Sequence, residues 1–416
     1  MINRPIVAAT GAALALAFAH SASAATRCVK PGGGSGCTAT ISAAVAAANP
    51  GDTIAVRPGT YAETVRITKP LSLVGAEQAS TIIDASGFAN GVLVDGFNTP
   101  GLAHVLVTGF TIKDAGAEGV FVTNASDVSV TANRLVHNDR ALVNGSCTLI
   151  VPPNSPAGEA IDCGEAIHLS GVDHSMVASN LVEDNSGGIL ISDDSGPTHD
   201  NLITDNTVRR NAFDCGITLA SHNPVAPNGV FHNTIAANDV RENGLSGEGA
   251  GVGMFTPAPG TATYGNVVFG NTLIGNRLPG VALHSHAPGQ NLNDNQIVGN
   301  YIAGNGADAN DAETPGPTGI NVFGVTPITG TTISQNVIER EEVAIAVKTA
   351  STVDAHFNDL QNHHVGVANL GSGSVDASAN WWGCPGGPQA RGCATITGPN
   401  VISTPWLQRP VTARRR

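Results

Sequence analysis

Three aspartates, five histidines and one tyrosine fall along one stretch of this 416-residue sequence: Asp193, Asp194, His199, Asp200, His222, His232, Tyr264, His284 and His286. Imidazole changes charge near neutral pH, so one histidine can accept a proton from carbon while another, or a phenol, returns one. A carboxylate beside an imidazole orients the ring and stabilises its charged form. That combination suits removal of a proton next to a substrate carboxylate, by elimination or by inversion of the carbon. In this assignment His222 is the base, Asp194 its partner and Tyr264 or His286 the acid; Asp193, His199, Asp200, His232 and His284 bind substrate. The substrate carboxylate must also be neutralised, by a protonated aspartic acid or by a bound divalent cation. A metal set can be drawn from Asp194, His222, His284 and His286, but three methionines in the whole chain rule out a thioether-rich copper site. Glycoside hydrolysis asks for two carboxylates across the bond; Asp194 offers one, and the sequence places none opposite it beside His286. Arg209, Arg210 and Arg241 belong to a different corner of the repeat. The competing reading is that these polar residues are solvated turns, since Asp, Asn and His are ordinary in loops.

A repeat brings the nine together. From residue 119 the chain recurs as Gly, an alternating apolar strand, a loop, a second strand, Asn, four residues, Asn. The openings include Gly119-Val120-Phe121-Val122, Ala166-Ile167-His168-Leu169, Gly188-Ile189-Leu190-Ile191, Gly216-Ile217-Thr218-Leu219, Gly251-Val252-Gly253-Met254 and Gly280-Val281-Ala282-Leu283. Period-2 alternation with β-branched residues marks half-buried strands. The pairs Asn133/Asn138, Asn180/Asn185, Asn206/Asn211, Asn238/Asn243, Asn271/Asn276 and Asn300/Asn305 keep one spacing, and Asn336, Asn358 and Asn380 continue singly. Constant corners with variable loops predict a coil of parallel strands in which asparagines take left-handed backbone and stack their carboxamides. Six residues past the opening Gly, successive rungs read Asp194, His222, Pro257 and His286; two positions earlier they read Ser192, Ala220, Phe255 and His284. With rungs about 4.8 Å apart, Asp194 and His222 lie about 5 Å apart and His222 and His286 about 10 Å. The small outward residues Thr218, Gly253 and Ala282 predict a groove floor between them.

The ends and the composition fit an exported solenoid. Residues 1–24 read as a secretory signal peptide, with Arg4, an apolar run from Ile6 to Ala19 and the cleavage site Ala22-Ser23-Ala24. A secreted or periplasmic protein without membrane insertion is expected. Residues 25–75 form an N-terminal cap with a short Ala-rich helix over Thr40–Ala48 and the first rungs; residues 76–380 carry the rungs; residues 381–416, with Trp381-Trp382, close the other end. Cys28/Cys37 and Cys384/Cys393 close short loops, Cys147/Cys163 brackets an insertion, and Cys215 is left as a buried, inert thiol. With 13% charged residues, 4% aromatics, 50 glycines and a net charge of −13, a helical bundle and a nucleic-acid binder are both excluded. The only basic cluster is Arg414-Arg415-Arg416, and a monomer is expected. His168 and the His363-His364 pair read as surface or groove-wall residues.

The stretches Gly51-Asp52-Thr53-Ile54, Pro58-Gly59-Thr60-Tyr61 and Leu71-Ser72-Leu73-Val74-Gly75 resemble the opening of pectin-lyase-like β-helix proteins. Asn380-Trp381-Trp382-Gly383 and the Asn-rich rungs are similar to the parallel β-helix repeat proteins of the same superfamily. The resemblance spans essentially the whole chain beyond the signal and implies an all-β, single-stranded right-handed parallel β-helix. That fold hosts lyases, epimerases, hydrolases and non-catalytic proteins, so it implies architecture more than activity. Asp193-Asp194 and His199-Asp200 loosely resemble the Asp/His/Tyr sets of mannuronan C5-epimerases and related lyases, but the compact Asp-Pro-His-acid motif of those epimerases is absent. The expectation is action on an extracellular polysaccharide by uronate-lyase or C5-epimerase chemistry. The alternative is a non-catalytic carbohydrate-binding or cell-surface structural protein, against which the scarcity of aromatic stacking platforms counts.

Overall fold

The computed structural model describes residues 24–139, 164–225, 229–361 and 364–411. The expected signal peptide, the Cys147–Cys163 pairing, His363 and the arginine cluster at the C-terminus lie outside these residues. Short alternating segments coil so that each turn adds one strand to each of three long sheets, of 14, 12 and 11 strands. Neighbouring rungs pair in parallel, and the register follows the apolar residues: Ile189, Ile217, Val252, Val281 and Ile320 stack in one column. All five are fully buried, which is what a one-residue slip would reverse by turning them to the outside.

Three columns of buried polar side chains run through the corners. In the first, Asn133, Asn180, Asn206, Asn238, Asn271, Asn300, Asn336, Asn358 and Asn380 follow one another. In each step the backbone N–H and Nδ2–H of one asparagine donate to Oδ1 of the next, while Nδ2 also donates to a strand carbonyl. Asn238, for example, donates to Asn271 Oδ1 at 2.9 and 3.0 Å and to Ile203 O at 2.9 Å. The second column runs from Asn138 to Asn305 and then changes residue type, because Asn305 donates to the carboxylate of Glu341. A third, through Asn201, Asn233, Asn266 and Asn295, went unseen in the sequence although each member lies five positions before a member of the first. One expectation is corrected. The left-handed residue at each corner is the one before the asparagine, such as Ala132, Ser179, Asp205, Ala237 and Phe357, and not the asparagine itself. The carboxamide is there to satisfy buried backbone groups, accepting from the N–H of the preceding rung's asparagine and donating to a strand carbonyl.

The helix Ile41–Ala47 starts at the N-cap Thr40 and has its first free N–H groups, on Ile41 and Ser42, held by the Glu63 carboxylate. Its buried Ile41, Ala44 and Val45 join the core at the first rungs. At the far end Trp382 is fully buried in the same core, beside the Cys384–Cys393 disulfide. Cys28 and Cys37 are also bonded, and Cys215 is free and buried. Burial pushes the Cys215 thiol well up, as expected for an inert one. No helix among the described residues is long and apolar enough to cross a membrane.

Candidate functional site

The nine candidates separate into three clusters. The first stands at the end of the 12-stranded sheet, where Gly187–Ser192 and Ile217–Ala220 pair with Ser192 opposite Ala220. Two residues beyond, Asp194 and His222 meet directly: His222 Nδ1 lies 2.9 Å from Asp194 Oδ1, closer than column spacing alone requires. Ser192 donates to the other Asp194 oxygen at 2.6 Å, His168 Nε2 lies 2.8 Å from that Ser192 hydroxyl, and His168 Nδ1 lies 3.3 Å from Glu118 Oε1. The chain Glu118–His168–Ser192–Asp194–His222 thus crosses four rungs. All of it is buried except the edge of His222, whose side chain is 16% exposed. His168 is therefore neither a surface residue nor a groove wall. Burial raises the Asp194 carboxyl, but the hydrogen bond and charge of His222 outweigh it, and the net shift is downward. Asp193 behaves oppositely because burial dominates, although it accepts from Ser221 Oγ and from the N–H groups of His222 and Asn223. Those three bonds pin the loop that carries His222, so Asp193 is occupied in positioning.

The second cluster lies two rungs on. His284 and His286 leave the same face of strand Val281–Ser285 and its extension, and both rings reach Asp311 Oδ2, with His284 Nδ1 at 3.2 Å. His284 Nε2 bonds Asn321 Oδ1, with Asp308 Oδ2 at 3.6 Å, and His286 Nδ1 lies 3.2 Å from Thr256 O. The hydrogen bond to Asp311 raises the His286 pKa, and the hydrogen bonds of His284 and His286 hold Asp311 well below the usual carboxylate range. Two carboxylates thus stand on the His286 side, where the sequence offered none. Asp308 and Asp311 sit in the insertion between strands Tyr301–Ala303 and Thr318–Gly324, so column alignment could not find them. The expected metal set is also redrawn: Asp194 and His222 bond each other, and His284 and His286 converge with Asp311 instead.

The third cluster is an aromatic column on the short sheet of Thr198–His199, Val230–Phe231 and Thr263–Tyr264. His199 stacks on Phe231 at 4.8 Å, Phe231 on Tyr264 at 5.1 Å, and His232 meets Tyr264 edge-on at 6.0 Å. A half-exposed aromatic ladder therefore exists despite the low aromatic content, and Phe231 went unnoticed beside its polar neighbours. Asp200 and His232 occupy left-handed corner positions before Asn201 and Asn233, at φ 55° and 57°. Their place is accounted for by the corner. The expected groove floor is covered: Thr218, Gly253 and Ala282 are all buried, and the Phe255 ring lies against Gly253, where an added Cβ would come within 2.1 Å of it. Beside it run His222 and His286, both partly exposed, with the exposed Pro257 on the rung between them. A separate recess lined by His137, Asp139, Asp184 and Phe213 holds none of the nine.

Among the described residues three groups bring ligand atoms within 4.8 Å of one another: His284/His286/Asp311, the buried Glu118/Glu165/His168, and Asp354/His356/Asp376. Residues 77–254 match the family described as right-handed beta helix region. No curated protein matches the sequence. Solved structures that are similar include the Dettilon tailspike protein, at 11% identity and TM-score 0.53, covering 87% of this chain and 64% of that one. DFA-IIIase from Arthrobacter chlorophenolicus A6, without its lid and in complex with GF2, is similar at 14% identity and TM-score 0.53, covering 92% and 99%. An alginate lyase from Paenibacillus sp. is similar at 13% identity and TM-score 0.46, covering 91% and 99%. Likeness at such identities is one of fold. The three-sheet coil, the asparagine columns and the matching region agree: the chain folds as a right-handed parallel β-helix.

Proposed function

We propose that this protein is an exported enzyme that cleaves an acidic extracellular polysaccharide by β-elimination, with His222 as the base. The observation that carries the reading is the His222–Asp194 pair at 2.9 Å, with Asp194 itself fixed by Ser192. A carboxylate on Nδ1 makes Nε2 the nitrogen with the lone pair and stabilises the imidazolium that forms. His222 takes the C5 proton of a uronate, the C4–O4 bond breaks as the C4–C5 double bond forms, and the imidazolium returns the proton to O4. His286 lies in the same column two rungs away, about 10 Å, which leaves room for one sugar ring over Pro257. In this reading the cluster of His284, His286 and Asp311 offsets the uronate carboxylate. Epimerisation needs a donor on the opposite face. Tyr264 stands in the aromatic column of the separate short sheet and not in the column of His222, and this favours elimination over inversion. A non-catalytic carbohydrate-binding role is the second reading, and the half-exposed His199–Phe231–Tyr264 column is what favours it.

The test is a panel of alginate, pectate and glucuronan, followed by the ultraviolet absorbance of unsaturated uronate and by NMR of the products. Turnover of at least one polymer, abolished in His222→Ala, is expected. Binding of a polymer without any turnover selects the second reading, and full activity in His222→Ala removes His222 from the mechanism.

A further inference from the structure

We infer that His284, His286 and Asp311 form a binding site for a single divalent transition-metal ion, taken up through two imidazole nitrogens and one carboxylate oxygen. The inference rests on the proposed function only for its purpose, since such an ion would sit where the uronate carboxylate must be offset.

The outer contacts fix which nitrogen of each ring carries hydrogen. His284 Nε2 faces Asn321 Oδ1 with the Asp308 carboxylate 3.6 Å away, so Nε2 is the protonated nitrogen of the neutral ring and Nδ1 has the lone pair. His286 Nδ1 faces the carbonyl of Thr256 at 3.2 Å, so its Nε2 has the lone pair. Both lone pairs, and an oxygen of Asp311, then point at one another within 4.8 Å. Three electron-rich atoms converging on a point are stable only with positive charge between them. A proton on His286 supplies part of it, but the His284 Nδ1 lone pair then still faces the Asp311 carboxylate at 3.2 Å unless that ring, 1% exposed, is also charged beside a second charged ring 5.7 Å away. One cation neutralises all three atoms without charging a buried imidazole.

The surroundings have the form that metal sites require. Ligating histidines are generally held by an oxygen acceptor on their other nitrogen, and both rings here are. Asp308 Oδ1 accepts the Asp311 N–H at 3.0 Å, and Thr314 N–H donates to Asp308 O, so the loop presenting the third ligand is folded on itself. Asp311 is 44% exposed and His286 28%, which leaves an open side for water or a substrate oxygen. Two imidazoles and one carboxylate suit zinc and its neighbours over calcium, which takes oxygen ligands.

The experiment is titration of the chelator-treated full protein with Zn²⁺ by calorimetry, and with Co²⁺ by its visible absorption, in the absence of any polysaccharide. One equivalent bound, with the d–d spectrum of nitrogen-coordinated cobalt, is expected. Asp311→Asn and His286→Ala, both at partly exposed positions, should each weaken binding at least tenfold with the circular dichroism unchanged. His222→Ala should bind as the wild type does while losing turnover. No stoichiometric binding, or undiminished binding in the folded Asp311→Asn/His286→Ala double variant, overturns the inference. Turnover that persists in chelator with no metal bound overturns the ion's part in offsetting the carboxylate, while leaving the elimination reading intact. Stoichiometric binding without turnover of any polymer does the reverse.

Discussion

An imidazole and a carboxylate each placed two residues past a strand end, on consecutive rungs, are brought within reach of each other by the sheet register, and the bonds of Ser192 and Asp193 then hold the pair. Asp194 and His222 could be paired from the sequence for that reason, and the structure adds the contact at 2.9 Å. Asp311 could not, since its position depends on how an insertion folds back and not on any column. His168 and Ser192 were visible as residues, but their link depends on side chains of two neighbouring rungs turning towards one another. If Asp194 stabilises the imidazolium, Asp194→Asn should lower kcat by about 10²–10⁴-fold, the usual range for losing general acid–base assistance. KM should change little, and steady-state kinetics on the polymer that is turned over will show it. A second residue-scale prediction concerns Glu341, which replaces asparagine at the end of a buried column. Burial pushes its pKa from 4.5 to about 7, against the opposing hydrogen bonds of Asn305. A raised acid binds its proton more tightly in the folded state, so its contribution is fully present below pH 4.5 and is lost as pH rises through about 7. Glu341→Gln should therefore be more stable than the wild type at pH 8, by about 1–3 kcal/mol, and similar to it at pH 4. Denaturant midpoints at the two pH values decide this.

At the scale of elements, the corners specify the coil as strongly as the apolar strands do. The spacing of five between asparagines was legible because the carboxamide must reach the same carbonyl and the same neighbour on every rung. Which residue takes left-handed backbone was legible only in part: glycine stands there at Gly265, Gly270, Gly275, Gly299 and Gly304, but Ala, Ser, Asp, Arg and Phe occupy the position elsewhere, where the corner's own geometry overrides their preference. The bonds of each asparagine are buried, so removing one strands both donors and acceptors. Asn238→Ala should cost about 1–3 kcal/mol for each buried group left unmatched. A shift in the denaturant midpoint near zero would show that water or relaxation replaces the carboxamide.

On the scale of the whole molecule, a solenoid is stabilised rung by rung, and its ends are where apolar interior would meet water. Trp382 closes the C-terminal end of one continuous core that starts at Val29 and Ile41. Trp382→Ala should cost about 3–5 kcal/mol and, by uncovering the last rung, shift the protein towards aggregates in size-exclusion chromatography. A monodisperse, equally stable variant would show that the end is closed by other residues. For the proposed reaction the coil supplies the spacing, since it holds His222 and the His284/His286 cluster on one column, two rungs apart.

The central claim is that His222 removes a proton from carbon. Its most direct test is the rate of turnover of a uronate polymer deuterated at C5 beside that of the unlabelled polymer, in single-turnover experiments with the wild type and with His222→Gln. A slower reaction of the deuterated polymer in the wild type, and loss of reaction with both polymers in the variant, is predicted. Turnover that is indifferent to the label, or that survives undiminished in His222→Gln, would contradict it.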